Sequence, residues 1–225
     1  MRAEPSQGAG NLPDRVEEFY SLLIRPYNQA LSQTQEPRPD RILAYHDPEL
    51  PAYWNVLASE LTRYNCDSTI FEIGSGFGDV LALTHFLGFK NARGMEMDEH
   101  LVQIANQKLR SLFGFNEGVM LGRYPTSIPS PDILLQINCV YFEGMSTKEE
   151  FLNQLVSFYQ AASPRHYIVE VIDDSFTQPS QVFPPFVRLS EEDMQRAFPG
   201  LRIRSVLTYQ FPANSSTKRL YIISQ

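Results

Sequence analysis

The sequence predicts an α/β protein with a mostly parallel sheet, and three observations support this prediction. From Ser68 onward, short apolar β-branched runs alternate with amphipathic runs at helical spacing, which favours a parallel sheet with right-handed crossovers. The first apolar run ends in a glycine-rich bend. The last two apolar runs are separated only by the polar stretch PANSST, which predicts an antiparallel hairpin at one edge of the sheet.

The chain before the sheet has a different composition and predicts two further regions. Residues 1–12 are small and polar with Pro and Gly, which is typical of a disordered tail. Residues 13–66 predict a helical cap, with one amphipathic helix from Asp14 to Leu31 and a second from about Pro51 to Tyr64. Residues 67–225 form the predicted α/β domain.

The predicted elements of this domain follow one another without an internal repeat. In chain order the strands are STIFEI, ARGME, GVML, PDILLQIN, RHYIVEVI, LRIRSVLTYQF and KRLYIIS. The helices are DVLALTHFLGF, DEHLVQIANQKLRSLF, STKEEFLNQLVSFYQAA and SEEDMQRAF. Ser146 or Thr147 caps the third of these helices, and Ser190 caps the fourth, because a hydroxyl there can accept a hydrogen bond from the first turn.

Composition argues against several classes of function. The net charge of −7 argues against a nucleic-acid partner, because phosphate binding needs clustered Lys and Arg. No apolar run approaches the roughly 20 residues of a membrane span, and the first residues lack the apolar core of a signal peptide, so we expect no membrane partner. Cys66 and Cys139 form no C-x-x-C pattern, which indicates reduced thiols, a cytoplasmic location and no metal site.

The glycine-rich bend is the first candidate for a ligand site. Gly74, Gly76 and Gly78 follow the first predicted strand at alternate positions. Glycine permits a positive φ and lets a ligand lie against the main chain, and the helix that follows presents free N–H groups. About 20 residues later, Glu96 ends the second predicted strand, where a carboxylate can accept hydrogen bonds from two ribose hydroxyls. This pattern predicts a nucleoside-containing ligand.

The residue at position 79 distinguishes between nucleoside ligands. The dinucleotide fingerprint G-x-G-x-x-G requires a third glycine there, whereas this chain has Asp79, which would place a negative charge beside a pyrophosphate. The pattern is instead acid-x-G-x-G-x-G and begins at Glu72. Several acids around the bend favour a ligand that carries an ammonium or a sulfonium group.

Three segments in this order, FEIGSGFGD, GMEMD and PDILLQIN, resemble conserved motifs of a known family. They are similar to the glycine-rich motif, the ribose-binding acid and the fourth-strand motif of class I S-adenosylmethionine-dependent methyltransferases. The resemblance covers residues 68–225. It implies a Rossmann-like three-layer sandwich, a seven-stranded sheet in the order 3-2-1-4-5-7-6 with an antiparallel terminal hairpin, and S-adenosyl-L-methionine as the cofactor.

The resemblance also implies roles for individual residues. The methionine end of the cofactor would be lined by Glu72, Gly74, Ser75, Gly76 and Gly78, with Asp79 beside them. Glu96 would bind the ribose, Met97 would pack near the adenine, and Asn138 would lie near the amino-acid part and the methyl group. The family often has an acid after the third strand for the adenine amino group. The segment MLGRYPT has none, and we expect main-chain groups near Gly122 and Arg123 to replace it.

Methyl transfer is an in-line displacement, so the protein mainly positions the acceptor and, for some acceptors, removes a proton. The candidate catalytic residues are His46 and Tyr141. The candidate substrate-binding residues are Tyr45, Tyr53, Trp54 and Phe142. Two interpretations stay open: His46 is a base or a loop histidine, and Tyr53 and Trp54 contact substrate or pack between helices. Glu170, Asp173 and Asp174 either orient an amine or form a polar strand end.

Three hypotheses of function follow. The first is a methyltransferase that acts on an O or N atom of a small molecule, in a pocket closed by the N-terminal helices. The second is a protein lysine methyltransferase, because Glu96 is similar to some members of that group and an acidic surface suits basic substrates. The third is a non-catalytic S-adenosylmethionine-binding protein. A nucleic-acid substrate is not expected, since INCVYF lacks an Asn-Pro-Pro-aromatic motif. We make no prediction of the oligomeric state.

Overall fold

The computed structural model describes residues 14–19, 21–23, 52–125, 128, 130–139, 141–177, 179–180, 183–209 and 217–225. The strands are β1 (Thr69–Ile73), β2 (Asn91–Glu96), β3 (Val119–Leu121), β4 (Ile133–Gln136), β5 (His166–Asp173), β6 (Arg188–Leu189), β7 (Arg202–Tyr209) and β8 (Thr217–Ser224). The helices are α1 (Ala52–Leu61), α2 (Asp79–Phe86), α3 (Glu99–Phe113), α4 (Lys148–Ala162) and α5 (Glu191–Ala197). Residues 14–19 and 21–23 are also helical. The predicted disordered tail, residues 1–12, lies outside the described residues.

The strands form one mixed sheet in the order β3-β2-β1-β4-β5-β8-β7. Strands β1 to β5 are parallel, whereas β8 is antiparallel to both β5 and β7. The short strand β6 pairs with the end of β5 and lies off this path. When β6 is left out and the later strands are renumbered along the chain, the order is 3-2-1-4-5-7-6. The predicted strand order is therefore confirmed. Strand β6 was not predicted, because a two-residue strand has no detectable period.

Helices cover both faces of the sheet, as the three-layer prediction requires. Alternate residues of each strand enter different cores, so that Ile70 packs toward α1, α2 and α3, whereas Phe71 packs toward α4 and α5. Strand β4 is buried at all four positions, which is expected of a central parallel strand with both faces covered.

Side-chain caps set where the helices begin. Thr147 and Glu150 form a capping box at the start of α4, and Ser190 and Asp193 form another at the start of α5. The prediction of Ser190 as a cap is confirmed. Of the two predicted alternatives at the start of α4, Ser146 and Thr147, it is Thr147 that caps the helix. Asp98 caps α3 by accepting hydrogen bonds from two main-chain N–H groups.

The described N-terminal helical residues pack into the core of the sheet domain. Val16, Phe19 and Leu23 are at most 2% exposed and pack in the same cluster as α1 and α2. Helix α1 ends near the amino-terminal edge of the sheet, since the ring of Tyr64 lies 4.8 Å from that of His166. Within the described ranges, no helix combines the length and hydropathy that a bilayer span requires.

Candidate functional site

The glycine-rich bend lies at the carboxyl end of β1 and is fixed to β2. The N–H groups of Gly74 and Ser75 both donate to the main-chain oxygen of Met95, at 2.9 and 3.0 Å. Gly74 has φ +67, and a Cβ on it would come within 2.2 Å of Cys139 Sγ. A Cβ on Gly78, which has φ +73, would come within 2.9 Å of Ala105 Cβ. Both positions therefore need glycine for the turn and for close packing.

Glu96 lies beside this bend, at the end of β2. Its Oε2 accepts a hydrogen bond from Gly76 N at 2.8 Å, and its Oε1 accepts one from Met97 N at 2.8 Å and one from Asp98 N at 3.1 Å. The side chains of Met97 and Leu121 are 53% and 56% exposed, and Leu121 is the register partner of Glu96 on β3. The carboxylate is therefore held against the bend with exposed apolar side chains next to it.

Glu72 is buried below the bend, with 1% of its surface exposed. Burial raises the pKa of its carboxyl to about 8, against the lowering effect of the Ser75 hydroxyl, and the nearby Asp79 and Glu96 raise it further. Within the described part of the chain, Glu72 Oε2 has no hydrogen-bond partner. A buried carboxyl oxygen without a donor is costly, so this position suits a donor from a ligand.

Asp79 lies at the start of α2 and contacts a buried lysine. Lys108 Nζ donates to Asp79 Oδ1 and also to the main-chain oxygen of Phe77, the latter at 2.5 Å. Burial lowers the pKa of Lys108, whereas Asp79 acts to raise it. Asp79 therefore forms an ion pair with Lys108, and this pair supports the glycine-rich bend through Phe77. The sequence analysis missed Lys108, although it occupies the buried helical spacing of Ile104.

Asn138 lies just beyond the end of β4 and is held by a second buried ion pair. Its N–H donates to Glu170 Oε2 at 3.2 Å, and its Oδ1 accepts from Lys218 Nζ at 2.9 Å. Lys218 Nζ also contacts Glu170 Oε2 at 3.2 Å, while Thr208 Oγ1 donates to Glu170 Oε1 at 3.0 Å. Burial lowers the pKa of Lys218, and Glu170 acts to raise it. Asn138 itself is exposed, with a left-handed φ of 53°.

Two of the candidate residues after β4 make side-chain contacts, one within the same loop and one with another loop. The hydroxyl of Tyr141 donates to Glu143 Oε2 at 2.9 Å. The ring of Phe142 packs edge-to-face on Phe186, with 5.6 Å between centroids. Phe186 belongs to the proline-containing connection between β5 and β6, so this connection borders the loop after β4.

The strand-end acids of β5 divide between two roles. Asp173 is 3% exposed and pairs with Arg219. Burial alone would raise the pKa of Asp173, but hydrogen bonds from Ser175 and Arg219 lower it overall. Asp174 is exposed. These two acids match the interpretation as a polar strand end, whereas Glu170 faces Asn138.

The aromatic candidates of the N-terminal region are placed only in part. Tyr45 and His46 lie outside the described residues, and so does the side chain of Tyr53, whose main chain is helical. Trp54 is 1% exposed, and its ring packs edge-to-face on Phe19 at 5.7 Å. Its position in the core is that of a helix-packing residue. In the described ranges, no three His, Cys, Asp or Glu side chains cluster as metal ligands.

Gly122, expected to help bind adenine, uses its N–H within the sheet. This group donates to the main-chain oxygen of Glu96 at 2.9 Å. The pairing of β2 with β3 therefore continues through this residue. The expectation that main-chain groups near Gly122 and Arg123 hold the adenine stays a prediction.

The sheet order, together with a glycine bend bonded to a strand-end carboxylate, defines a Rossmann-like fold of the class I methyltransferase type. Among solved structures, the chain is similar to magnesium protoporphyrin IX methyltransferase (ChlM) from Synechocystis PCC 6803 with bound SAH. The two are 16% identical over 86% of this chain and 89% of that chain, with a TM-score of 0.60. The structure of ChlM with bound SAM covers 98% of this chain and 100% of that chain at 16% identity, with a TM-score of 0.59.

A second similar structure is an S-adenosylmethionine-dependent methyltransferase from Mesorhizobium loti. It is 14% identical over 77% of this chain and 98% of that chain, with a TM-score of 0.57. No protein-family model matches the sequence, and the comparison with curated proteins found no match. These likenesses confirm the predicted fold.

Proposed function

We propose that this protein is an S-adenosylmethionine-dependent methyltransferase that acts on an O or N atom of a small-molecule acceptor. The observation that carries the proposal is the contact between Glu96 and the glycine bend. On a methyltransferase-type sheet, this contact holds a strand-end carboxylate next to a bare main chain, at the edge where ligands of open α/β sheets bind, which supports ribose binding by Glu96.

The residues at this edge fit the cofactor. Glu96 Oε2 accepts one hydrogen bond in the described structure, and a carboxylate oxygen can accept a second from a ribose hydroxyl. The exposed side chains of Met97 and Leu121 provide an apolar surface for an adenine ring. Glu72 Oε2, which is buried and has no donor among the described residues, suits an N–H donor of the cofactor's methionine end. When bound, S-adenosylmethionine supplies a methyl group already activated on a sulfonium.

The protein's part in the reaction is then to position the acceptor and exclude water. Asn138 is held on both its N–H and its side chain, so it provides a fixed polar group near the methyl end. The base, where the acceptor needs one, remains the prediction of His46 or Tyr141. The closure of the acceptor pocket by the N-terminal helices stays a prediction.

Aromatic side chains near Asn138 support a small apolar or aromatic acceptor. Lys218, which bonds Asn138, lies 5.9 Å from the ring centre of Phe183. Phe183 packs edge-to-face on Phe176, and Phe142 packs in the same way on a further ring of the proline-containing connection. Such rings offer dispersion contacts to a planar acceptor. ChlM, whose name gives magnesium protoporphyrin IX as substrate, supports the same class of acceptor.

Binding is tested first, by calorimetry with S-adenosylhomocysteine. We expect the wild type to bind and a Glu96→Gln variant to bind about 10- to 100-fold more weakly, because a charge-assisted hydrogen bond to ribose is lost. Glu117→Gln, at an exposed position before β3, is the matched control for the loss of one charge. Equal affinity of the Glu96→Gln variant and the wild type would contradict the assignment of Glu96.

Turnover is tested with methyl-labelled S-adenosylmethionine and a cell extract separated by size. Label in the small-molecule fraction supports the proposal. Label confined to protein favours the lysine methyltransferase hypothesis instead. Cofactor binding with no transfer to any fraction favours the non-catalytic hypothesis.

A further inference from the structure

Asn138 lies just beyond the end of β4, one residue before a contact with the glycine bend. That next residue, Cys139, packs on the bend so closely that a Cβ on Gly74 would come within 2.2 Å of its Sγ. The strands that carry the two segments, β1 and β4, are neighbours in the sheet. Asn138 is itself exposed. Its side chain is therefore accessible beside the site of the proposed function.

A buried lysine determines which end of the Asn138 amide faces it. Lys218 Nζ lies 2.9 Å from Asn138 Oδ1, and an ammonium group can only donate hydrogen bonds. The amide therefore turns its oxygen to Lys218, and its –NH₂ group, which carries two N–H donors, points away from the lysine. The main chain of Asn138 is held as well, because its N–H donates to Glu170 Oε2 at 3.2 Å.

Glu170, the acid that bonds Asn138, is used within the protein. Its side chain is buried, and its Oε1 accepts a hydrogen bond from Thr208 Oγ1 at 3.0 Å. Its Oε2 accepts from Asn138 N and from Lys218 Nζ, each at 3.2 Å. An amine nucleophile brings N–H donors that need an acceptor. At this position the carboxylate instead bonds the lysine that turns the donors of Asn138 outward.

Outward N–H donors suit a ligand group that has lone pairs and no proton. A carboxylate has both properties, because it is ionised at neutral pH and accepts strong, charge-assisted hydrogen bonds. The cation of Lys218 behind the amide oxygen polarises the amide and strengthens its donors. A hydroxyl or an amine would also have to give a proton to a base, and Lys218 and Glu170 are both buried and bonded to each other.

We infer that the acceptor is a carboxylate held by the amide N–H of Asn138, so that the product is a methyl ester. This inference rests on the proposed function and selects an oxygen over a nitrogen acceptor. In the step, a lone pair of the carboxylate oxygen forms the new O–C bond to the methyl group, and the C–S bond breaks with its electron pair going to sulfur. The anion and the sulfonium become a neutral ester and a neutral thioether, and no proton has to leave.

The first test identifies the bond that carries a transferred methyl group. The protein is incubated with methyl-labelled S-adenosylmethionine and the small-molecule fraction of a cell extract, and the labelled products are treated with mild base. Methyl esters then release volatile methanol, whereas methyl ethers and N-methyl amines stay intact. We expect the label to be released as methanol. Label that is stable to base overturns the inference and leaves the proposed function standing, whereas the absence of any labelled small molecule overturns both.

The second test is Asn138→Asp. Aspartate keeps an oxygen for Lys218 and tolerates the left-handed φ, but it replaces the N–H donors with an oxygen that repels a carboxylate. We expect the rate of ester formation to fall about 10- to 100-fold, while the Kd of S-adenosylhomocysteine stays close to that of the wild type. Asn116→Asp, at an exposed position before β3, is the matched control and should keep the wild-type rate. An unchanged rate in Asn138→Asp, or a loss of S-adenosylhomocysteine affinity as large as the loss of rate, would overturn the role of Asn138.

Discussion

Glu72 should make the folded protein less stable as the pH rises, and Glu72→Gln should remove this effect. The carboxyl is buried, and its Oε2 has no partner among the described residues. Burial is the main cause that raises its pKa from the ordinary 4.5 to about 8, and the nearby Asp79 and Glu96 add to it. The carboxyl therefore keeps its proton in the folded protein at a pH where the unfolded chain has released it.

The sign and size of the effect follow from proton linkage. Between pH 4.5 and about 8, the folded state binds more protons than the unfolded state, so the free energy of unfolding falls as the pH rises. Below pH 4.5 the carboxyl is protonated in both states and the contribution is absent. At about 1.4 kcal/mol for each pH unit, the loss reaches about 5 kcal/mol and is complete above pH 8.

Urea unfolding of the wild type and of Glu72→Gln, at a series of pH values from 4.5 to 9 and without cofactor, measures this contribution. The difference between the two unfolding free energies cancels the other titrating groups. We expect it to shift in favour of the Gln variant by several kcal/mol across this range. Glu117→Gln should show no such shift. A difference that stays constant with pH would refute the reasoning, because the carboxyl would then titrate alike in both states.

Three other predictions concern the edge of the sheet. Gly74→Ala should lower the free energy of unfolding, measured in urea, by more than the roughly 1–2 kcal/mol that a positive φ costs a non-glycine residue, because the new Cβ would lie 2.2 Å from Cys139 Sγ. Adding Cys139→Ala should recover only the part of the loss that exceeds the cost of the positive φ. S-adenosylhomocysteine should protect the half-buried Cys139 from maleimide but not the exposed Cys66, measured by peptide mass spectrometry; equal labelling of Cys139 with and without ligand would contradict this. Lys218→Met should lower the unfolding free energy by about 3–5 kcal/mol, since Glu170 is left as an unpaired buried charge; a loss under about 1 kcal/mol would argue against a charged pair.

The fold was predictable because its signals are local. Strands β1, β4 and β5 are short runs with apolar β-branched residues, and helices α3, α4 and α5 show an amphipathic period or a capping residue in the sequence. The strand order came from the resemblance to a family and not from the elements themselves. The strand β6 was missed because it consists of only two residues, Arg188 and Leu189, within a proline-containing connection.

The candidate site was predictable where it depends on backbone conformation. The glycine bend and Glu96 were identified from spacing alone, and the structure joins them through Gly76 N. The partner of Asp79 was not predictable, because Lys108 lies 29 residues later in the chain and reaches it through tertiary packing. The burial of Trp54 likewise depends on Phe19, which lies 35 residues earlier in the chain.

The two buried lysines show why sequence patterns do not predict every residue that shapes this site. Lysine is rarely buried, so a pattern of residue types assigns Lys108 and Lys218 to the surface. Each is instead paired with one acid, and a buried ion pair adds little stability over apolar residues of the same volume. Each pair instead orients a polar group. Lys108 holds the carbonyl of Phe77 within the glycine bend, and Lys218 holds the side chain of Asn138. The two pairs therefore fix the glycine bend and the start of the loop after β4, so their contribution is to the geometry of this edge of the sheet more than to the stability of the fold.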